Sequence, residues 1–402
     1  MIPTLKRPNT ILFILLLAPF VRPVGIDYFP LLGKVLTLWK LLALAYLVVA
    51  LIPKLVSPTP RKKSPALLGL GLFWMIYLLG CIRVGRDVVS ILTAGLSSFL
   101  LFLLVEYETR NQNGRILFRA VSLLFTFCIL AHILSVFFVR AGILWMGYVG
   151  ESPVFLFGMD NYSAFFIYPM LSLVLYCNCL LNGKLRVWDW LLMFATVGIY
   201  LLTKSLTAAG AGLVILALLF LKGYWRKLPA VRGIRWMIAG MAVLLVLICA
   251  FQAQNLLASL LDKTSKGVTL NSRTYIWDCA LRLIREKPVF GYGTFTDKQL
   301  HTDFVLYGTT HAHNLLLELL LRTGIVGTAG YLLFLFGFSP IGVRRAVPKA
   351  HGILLAGLVG QLLLFFMDFY PTILIFYLFL AFLHFSHRCC PTDRRQDKPT
   401  NE

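Results

Sequence analysis

The sequence predicts an all-α integral membrane protein. We expect about 12 transmembrane helices and one large extracytoplasmic helical loop between helices 9 and 10. Three observations predict this class: the composition, the recurrence of long apolar runs, and the places where basic residues fall. The chain has 402 residues, of which 59% are hydrophobic and only 14% charged. Its mean hydropathy is +0.80. Polar side chains are too few to cover a soluble body of this size. Apolar runs of about 18 residues or more, the length that crosses about 30 Å of hydrocarbon, recur from end to end.

The expected spans are 9–24, 31–52, 65–82, 87–105, 116–138, 154–181, 187–203, 205–221, 234–255, 313–337, 350–367 and 369–387. Lys6 and Arg7 precede the first run and place the N-terminus inside. On that assignment the short inside segments hold more than half of the 38 basic residues, among them Arg61, Lys62, Lys63, Arg226, Lys227 and Arg344. The formal charge of +21 is therefore a topology signal, and no nucleic-acid partner is expected. Both termini fall on the cytoplasmic side. Residues 9–20 are read as a retained helix, since Pro19, Phe20, Val21 and Arg22 stand where a small-residue cleavage site would lie. The eight cysteines lack metal or redox spacing. No disulfide, metal or cofactor is expected from them.

Four regions follow. Residues 1–253 form the N-terminal helices, 254–312 an extracytoplasmic loop, 313–388 the C-terminal helices, and 389–402 a cytoplasmic tail. The loop is too long for a connector, and long loops in compact proteins tend to carry function.

Within the loop, residues 271–288 carry a helix signal, with Asn271 or Ser272 as cap and Pro288 as stop. At about 100° per residue, Trp277, Ala280 and Ile284 share one face and Asp278, Arg282 and Arg285 the other. Arg273 falls on the apolar side, where it either snorkels to headgroups or binds an anion. Gly291-Tyr292-Gly293 marks a tight turn. The chain then re-enters the membrane through His311-Ala312-His313-Asn314. The two histidines are either an interfacial cap or a base, because imidazole titrates near neutrality. Glu318 and Arg322, spaced i, i+4 in an apolar run, should pair. Polarity at membrane depth recurs at Asp160-Asn161, at Lys204-Ser205 and at the Asp368 turn. Ser205, Ala209 and Gly212 are small enough for close helix packing. Lys204 either reaches headgroups or adds charge to an anion site.

Together these elements suit one chemistry. An Arg fork grips a diphosphate with two hydrogen bonds, and a neighbouring His deprotonates a hydroxyl. No phosphate-binding Gly-rich loop, dinucleotide fingerprint or Asp-x-Asp pair is present. A site without nucleotide or metal needs a donor whose leaving group is already activated. A polyprenyl-diphosphate-linked glycan in the same membrane meets that need, with membrane lipids around it and a glycan or lipid-linked acceptor. The rival reading is a transporter or flippase for such glycans. It needs polar residues along a central path, whereas these cluster toward one face.

From Ser272 to about Tyr331 the sequence resembles the bacterial O-antigen ligase and polymerase superfamily of membrane glycosyltransferases. The resemblance is carried by Ser272-Arg273, Trp277, Lys287-Pro288, Gly291-Tyr292-Gly293, His311-Ala312-His313-Asn314 and Thr323-Gly324. The ligase pattern is His, then Asn, Ser or Gln, nine residues, Gly-x-x-Gly, and Gly, Thr or Tyr. His313, Asn314, Gly324, Gly327 and Thr328 meet it. Elsewhere the likeness is limited to the helix count, the Asp160-Asn161-Tyr162 helix start and the Asp368 turn. The resemblance implies a multi-pass protein of the bacterial cytoplasmic membrane that needs no metal, with an extracytoplasmic site. Arg273 and His313 would be catalytic, holding the donor diphosphate and acting as base. Lys204, His311, Asn314, Asp368 and Asp160 would contact substrate. One departure bears on the acceptor. Ligases carry Thr/Ser-Arg after the seventh helix, whereas this chain reads Thr203-Lys204-Ser205-Leu206. That leans toward a polymerase, or toward ligation onto another acceptor.

Overall fold

The computed structural model describes residues 9–56, 64–110, 114–139, 144–145, 153–221, 267–296, 311–337 and 350–386. The span expected at 234–255 and the expected tail lie outside these residues. Helices α1 to α12, numbered over the described residues, are Thr10–Leu17, Pro30–Val56, Pro65–Val84, Val88–Arg110, Gly114–Phe138, Asp160–Asn182, Val187–Leu202, Leu206–Phe220, Gly267–Glu286, Leu315–Phe336, His351–Met367 and Leu374–Phe385. Among the described residues six helices are long and apolar enough to cross a membrane: α2 to α6 and α10. Shorter apolar helices are Thr10–Phe20, Val187–Leu202, Leu206–Phe220, His351–Met367 and Leu374–Phe385.

The first and last expected spans are shorter as helices, Thr10–Leu17 and Leu374–Phe385, and two boundaries near the site differ from expectation. α6 starts at Asp160, because residues 153–158 instead form a hairpin arm (Leu144–Trp145 paired antiparallel with Pro153–Val154) and a tight turn closing at Gly158, φ +102. The loop helix starts at Gly267, so Asn271 and Ser272 lie inside it. Single cap residues are weak signals, and helix continues across them wherever the upstream residues tolerate it. Pro288 does end the helix near its expected place.

The turns segregate into two ends of the bundle. At one, the loop end, Gly25 donates to Leu156 O at 3.1 Å, Ser205 Oγ donates to Asn161 Oδ1, and Arg83 donates to Gly291 O at 3.0 Å. At the opposite end Ser64 meets His384 at 3.1 Å, His351 meets Ser386, and Asn178 donates to Asp189 at 2.6 Å. Every described turn expected outside is at the loop end.

α10 runs through the middle of the site and packs most extensively on α3. A Cβ on Gly69 would lie 2.5 Å from Gly330 O, so the absence of side chains sets this close approach. Gly212 likewise lets α8 settle on Tyr168 and Val197, the packing role expected of the small residues. α10 is broken at Gly324, φ +60. The stretch after α9 is stitched into the break. Tyr292 and Gly293 donate to the carbonyls of Leu321 and Arg322 at 2.9 and 2.7 Å. Ile325 and Val326 donate to Pro288 and Val289 at 2.8 and 3.2 Å. Freed backbone groups at membrane depth need such partners. The two glycine motifs are thus the halves of one joint.

Candidate active site

Asn314 begins the site. Its backbone is extended and its Oδ1 caps α10, accepting from Leu316 N at 3.0 Å and Leu317 N at 3.2 Å. Its Nδ2 donates to Phe366 O at 3.2 Å, tying the start of α10 to the end of α11. Asn314 is fully buried, so it shapes the site rather than lining it.

The preceding Ala312 is held at both backbone groups. Its N–H donates to Glu318 Oε2 at 2.8 Å, and its carbonyl accepts from Trp277 Nε1 of α9 at 3.0 Å. Glu318 also accepts from Arg322 Nε at 2.8 Å through its other oxygen, the i, i+4 pair expected from the sequence. Arg322 in turn reaches Gly293 O at 3.4 Å and covers the Phe295 ring at 4.6 Å. One buried carboxylate therefore links the joint in α10 to the segment carrying the histidines. His313 sits at φ +49, a left-handed conformation that costs a non-glycine residue about 1–3 kcal/mol. The Ala312 clamp and the Asn314 cap hold it there from both sides.

The clamp presents His311 and His313 on one carboxylate. His311 Nε2 lies 3.0 Å from Asp368 Oδ1, and His313 Nδ1 lies 3.3 Å from Asp368 Oδ2. The two imidazoles stack at 4.0 Å between centroids. Asp368, just past α11, is fixed by Phe369 N on Oδ1 at 2.9 Å and by the Tyr370 hydroxyl on Oδ2 at 2.7 Å. Burial alone would raise the Asp368 pKa. The hydrogen bonds and charges of the two imidazoles outweigh it and hold the carboxyl well below its ordinary range. An ionised carboxylate only accepts, so it selects the His313 tautomer with the proton on Nδ1 and leaves the lone pair on Nε2. Imidazole Nε2 can then take a proton from a hydroxyl while Asp368 stabilises the imidazolium.

Tyr370 joins this cluster to α6. Its ring meets Tyr162 at 4.5 Å and His311 at 5.1 Å. Through Asn161 and Ser205 the same end of α6 touches the α7–α8 turn, where Lys204 is exposed at φ +57. Among the residues expected to line the site, the structure thus unites His311, His313 and Asp368, with Lys204 on an adjoining turn. Asp160 opens α6 and Arg273 lies in α9, one turn before Trp277; their side chains are outside the described set. Sequence reasoning did not single out Tyr370 or the two-sided grip on Ala312. Backbone partners leave no residue-type signature, though a Tyr two residues after a turn Asp was a readable hint.

Residues 191–332, from α7 into α10, match the family model described as O-antigen ligase. The match covers about a third of the chain and supports its membership of the O-antigen ligase superfamily. No curated protein and no solved structure matches it. Membership implies a multi-pass membrane enzyme that processes glycans, with lipid-linked glycan and membrane lipids as its partners. For this O-antigen ligase relative, the matched segment covers the Lys204 turn, the loop helix and the whole His-Asn-Gly pattern, while Asp368, Phe369 and Tyr370 join the cluster from beyond it.

Proposed function

We propose that this O-antigen ligase relative is a glycosyltransferase that uses a polyprenyl-diphosphate-linked oligosaccharide as donor. It extends or attaches a surface polysaccharide at the outer face of the bacterial cytoplasmic membrane. The observation that carries the reading is the pairing of His313 Nδ1 with Asp368, 3.3 Å apart, at the end of the bundle where the expected outer turns meet.

In the reaction the acceptor hydroxyl oxygen attacks the anomeric carbon of the donor. His313 Nε2 removes the hydroxyl proton as the new C–O bond forms. The anomeric C–O bond to the diphosphate breaks with its electron pair on the leaving oxygen, and one inversion results. Arg273 neutralises the departing diphosphate, since position 273 shares a helix face with Trp277, four residues on, and Trp277 touches the histidine segment. Lys204 adds a point charge from the neighbouring turn. Asp160, His311 and Asp368 border the sugar-binding space, and Asn314 supports it from below. No step requires a metal. The Leu206 departure favours polymerisation, or an acceptor other than the ligase's own.

The test uses protein in proteoliposomes given a purified lipid-linked oligosaccharide. The enzyme yields longer or newly attached glycan and free polyprenyl diphosphate. A donor that changes leaflet but keeps its structure would establish the transporter reading instead.

A further inference from the structure

His311, His313 and Asp368 form the one group of three metal-capable side chains among the described residues, with all three ligand atoms within 4.8 Å of one another. We propose that they form an inhibitory site for a zinc-like divalent cation, one that blocks the enzyme rather than serving it.

Four features support the site. The donors are two imidazole nitrogens and a carboxylate, a set suited to borderline cations such as zinc. Zinc bonds of about 2.0–2.2 Å place neighbouring tetrahedral ligands about 3.3–3.6 Å apart; the nitrogen–oxygen separations are 3.0 and 3.3 Å, each to a different oxygen of Asp368, and one donor atom from each residue lies within 4.8 Å of the others. The ligands are already oriented from outside. Tyr370 and Phe369 N hold the carboxylate, and the Ala312 clamp fixes both histidines. Metal sites depend on such outer contacts. Finally, the side chains remain 14–23% exposed, so an ion has a way in and a fourth position for water or hydroxyl.

The inhibitory consequence follows from the tautomer. In the resting cluster His313 carries its proton on Nδ1, facing Asp368, and its lone pair on Nε2. A cation held by Nδ1 displaces that proton and forces the neutral ring to keep a proton on Nε2. The nitrogen that would accept the acceptor's proton then has no lone pair to offer. This consequence rests on the base role proposed above, whereas cation binding does not.

The experiment is a zinc chloride titration of the purified full chain in detergent, by calorimetry, with cobalt(II) chloride as a visible-spectrum probe in parallel. Transfer activity is read at each occupancy. One cation per chain is expected, with a cobalt spectrum of four-coordinate nitrogen–oxygen ligation that zinc abolishes. Loss of transfer should track occupancy and reverse on adding a chelator. Tyr370→Phe, which removes only a supporting contact, should weaken binding about 10- to 100-fold, and His311→Ala should weaken it more. The cobalt spectrum of the wild-type chain decides the matter even where a variant does not fold. No cobalt band, or unchanged affinity in His311→Ala, overturns the site and leaves the base role standing. Full occupancy with undiminished transfer confirms the site and overturns the base role.

Discussion

Glu318→Gln is the sharpest perturbation of the scaffold, because one buried carboxylate serves two donors. Oε1 accepts from Arg322 Nε and Oε2 from the Ala312 N–H, each at 2.8 Å. Glutamine keeps the shape but has only one accepting oxygen, so its amide must face one of the two donors. The lost bond to a charged group is worth about 1.5–3 kcal/mol. Leaving Arg322 buried without its anion raises the total to about 3–5 kcal/mol. At about 1.4 kcal/mol per tenfold, 3 kcal/mol corresponds to more than a hundredfold rise in the population whose histidine segment has left Asp368. Hydrogen exchange of the peptide containing Ala312 reads that population, and thermal inactivation in detergent reads the stability. Trp277→Phe removes a neutral hydrogen bond to the Ala312 carbonyl, worth about 0.5–1.5 kcal/mol, together with some packing of a buried indole, but leaves no buried charge unpaired. Equal and small effects of the two variants, with Ala312 exchange unchanged, would refute the clamp.

Three further outcomes are expected. Arg273→Lys keeps the charge but loses the planar fork, so most transfer should vanish while the protein still inserts; Arg282→Ala, on the exposed face of α9, should be nearly silent. Gly324→Ala places a Cβ against the Val289 backbone at a positive φ, so it should unseat the stitched segment and lower thermal stability by at least about 1–3 kcal/mol, read by the inactivation midpoint. Cysteine at position 86 should react with an impermeant thiol reagent in intact cells and cysteine at position 184 should not. The reverse pattern would invert the membrane orientation.

The sequence made the apolar architecture legible because membrane spans advertise themselves by length alone. Six of the expected spans coincide with helices long enough to cross, and the Glu318–Arg322 pair followed from its spacing. The α10 break was hidden, since Thr323-Gly324 reads equally well as a packing motif, and only the stitched hydrogen bonds reveal it. The start of the loop helix was missed because Asn271 and Ser272 look like caps wherever they occur. The His–His–Asp cluster was half visible. Each residue stood out alone at a membrane boundary, but 55 residues separate His313 from Asp368, and nothing in a linear pattern joins them. Asn314 has a structural role that the linear pattern does not show. A polar residue beside a candidate base invites a substrate role, yet its side chain caps the helix that carries the base.

Whether His313 acts as the base is decided by His313→Gln. Glutamine preserves the approximate shape but cannot take up a proton near neutrality. General-base catalysis is typically worth about a hundred- to ten-thousand-fold. Glycan transfer from a purified lipid-linked donor in proteoliposomes should fall by that range in His313→Gln, with donor binding measured alongside and nearly unchanged. His311→Gln should lose less. Full turnover by His313→Gln would contradict the base role, and a loss of donor binding equal to the loss of turnover would reassign His313 to holding substrate.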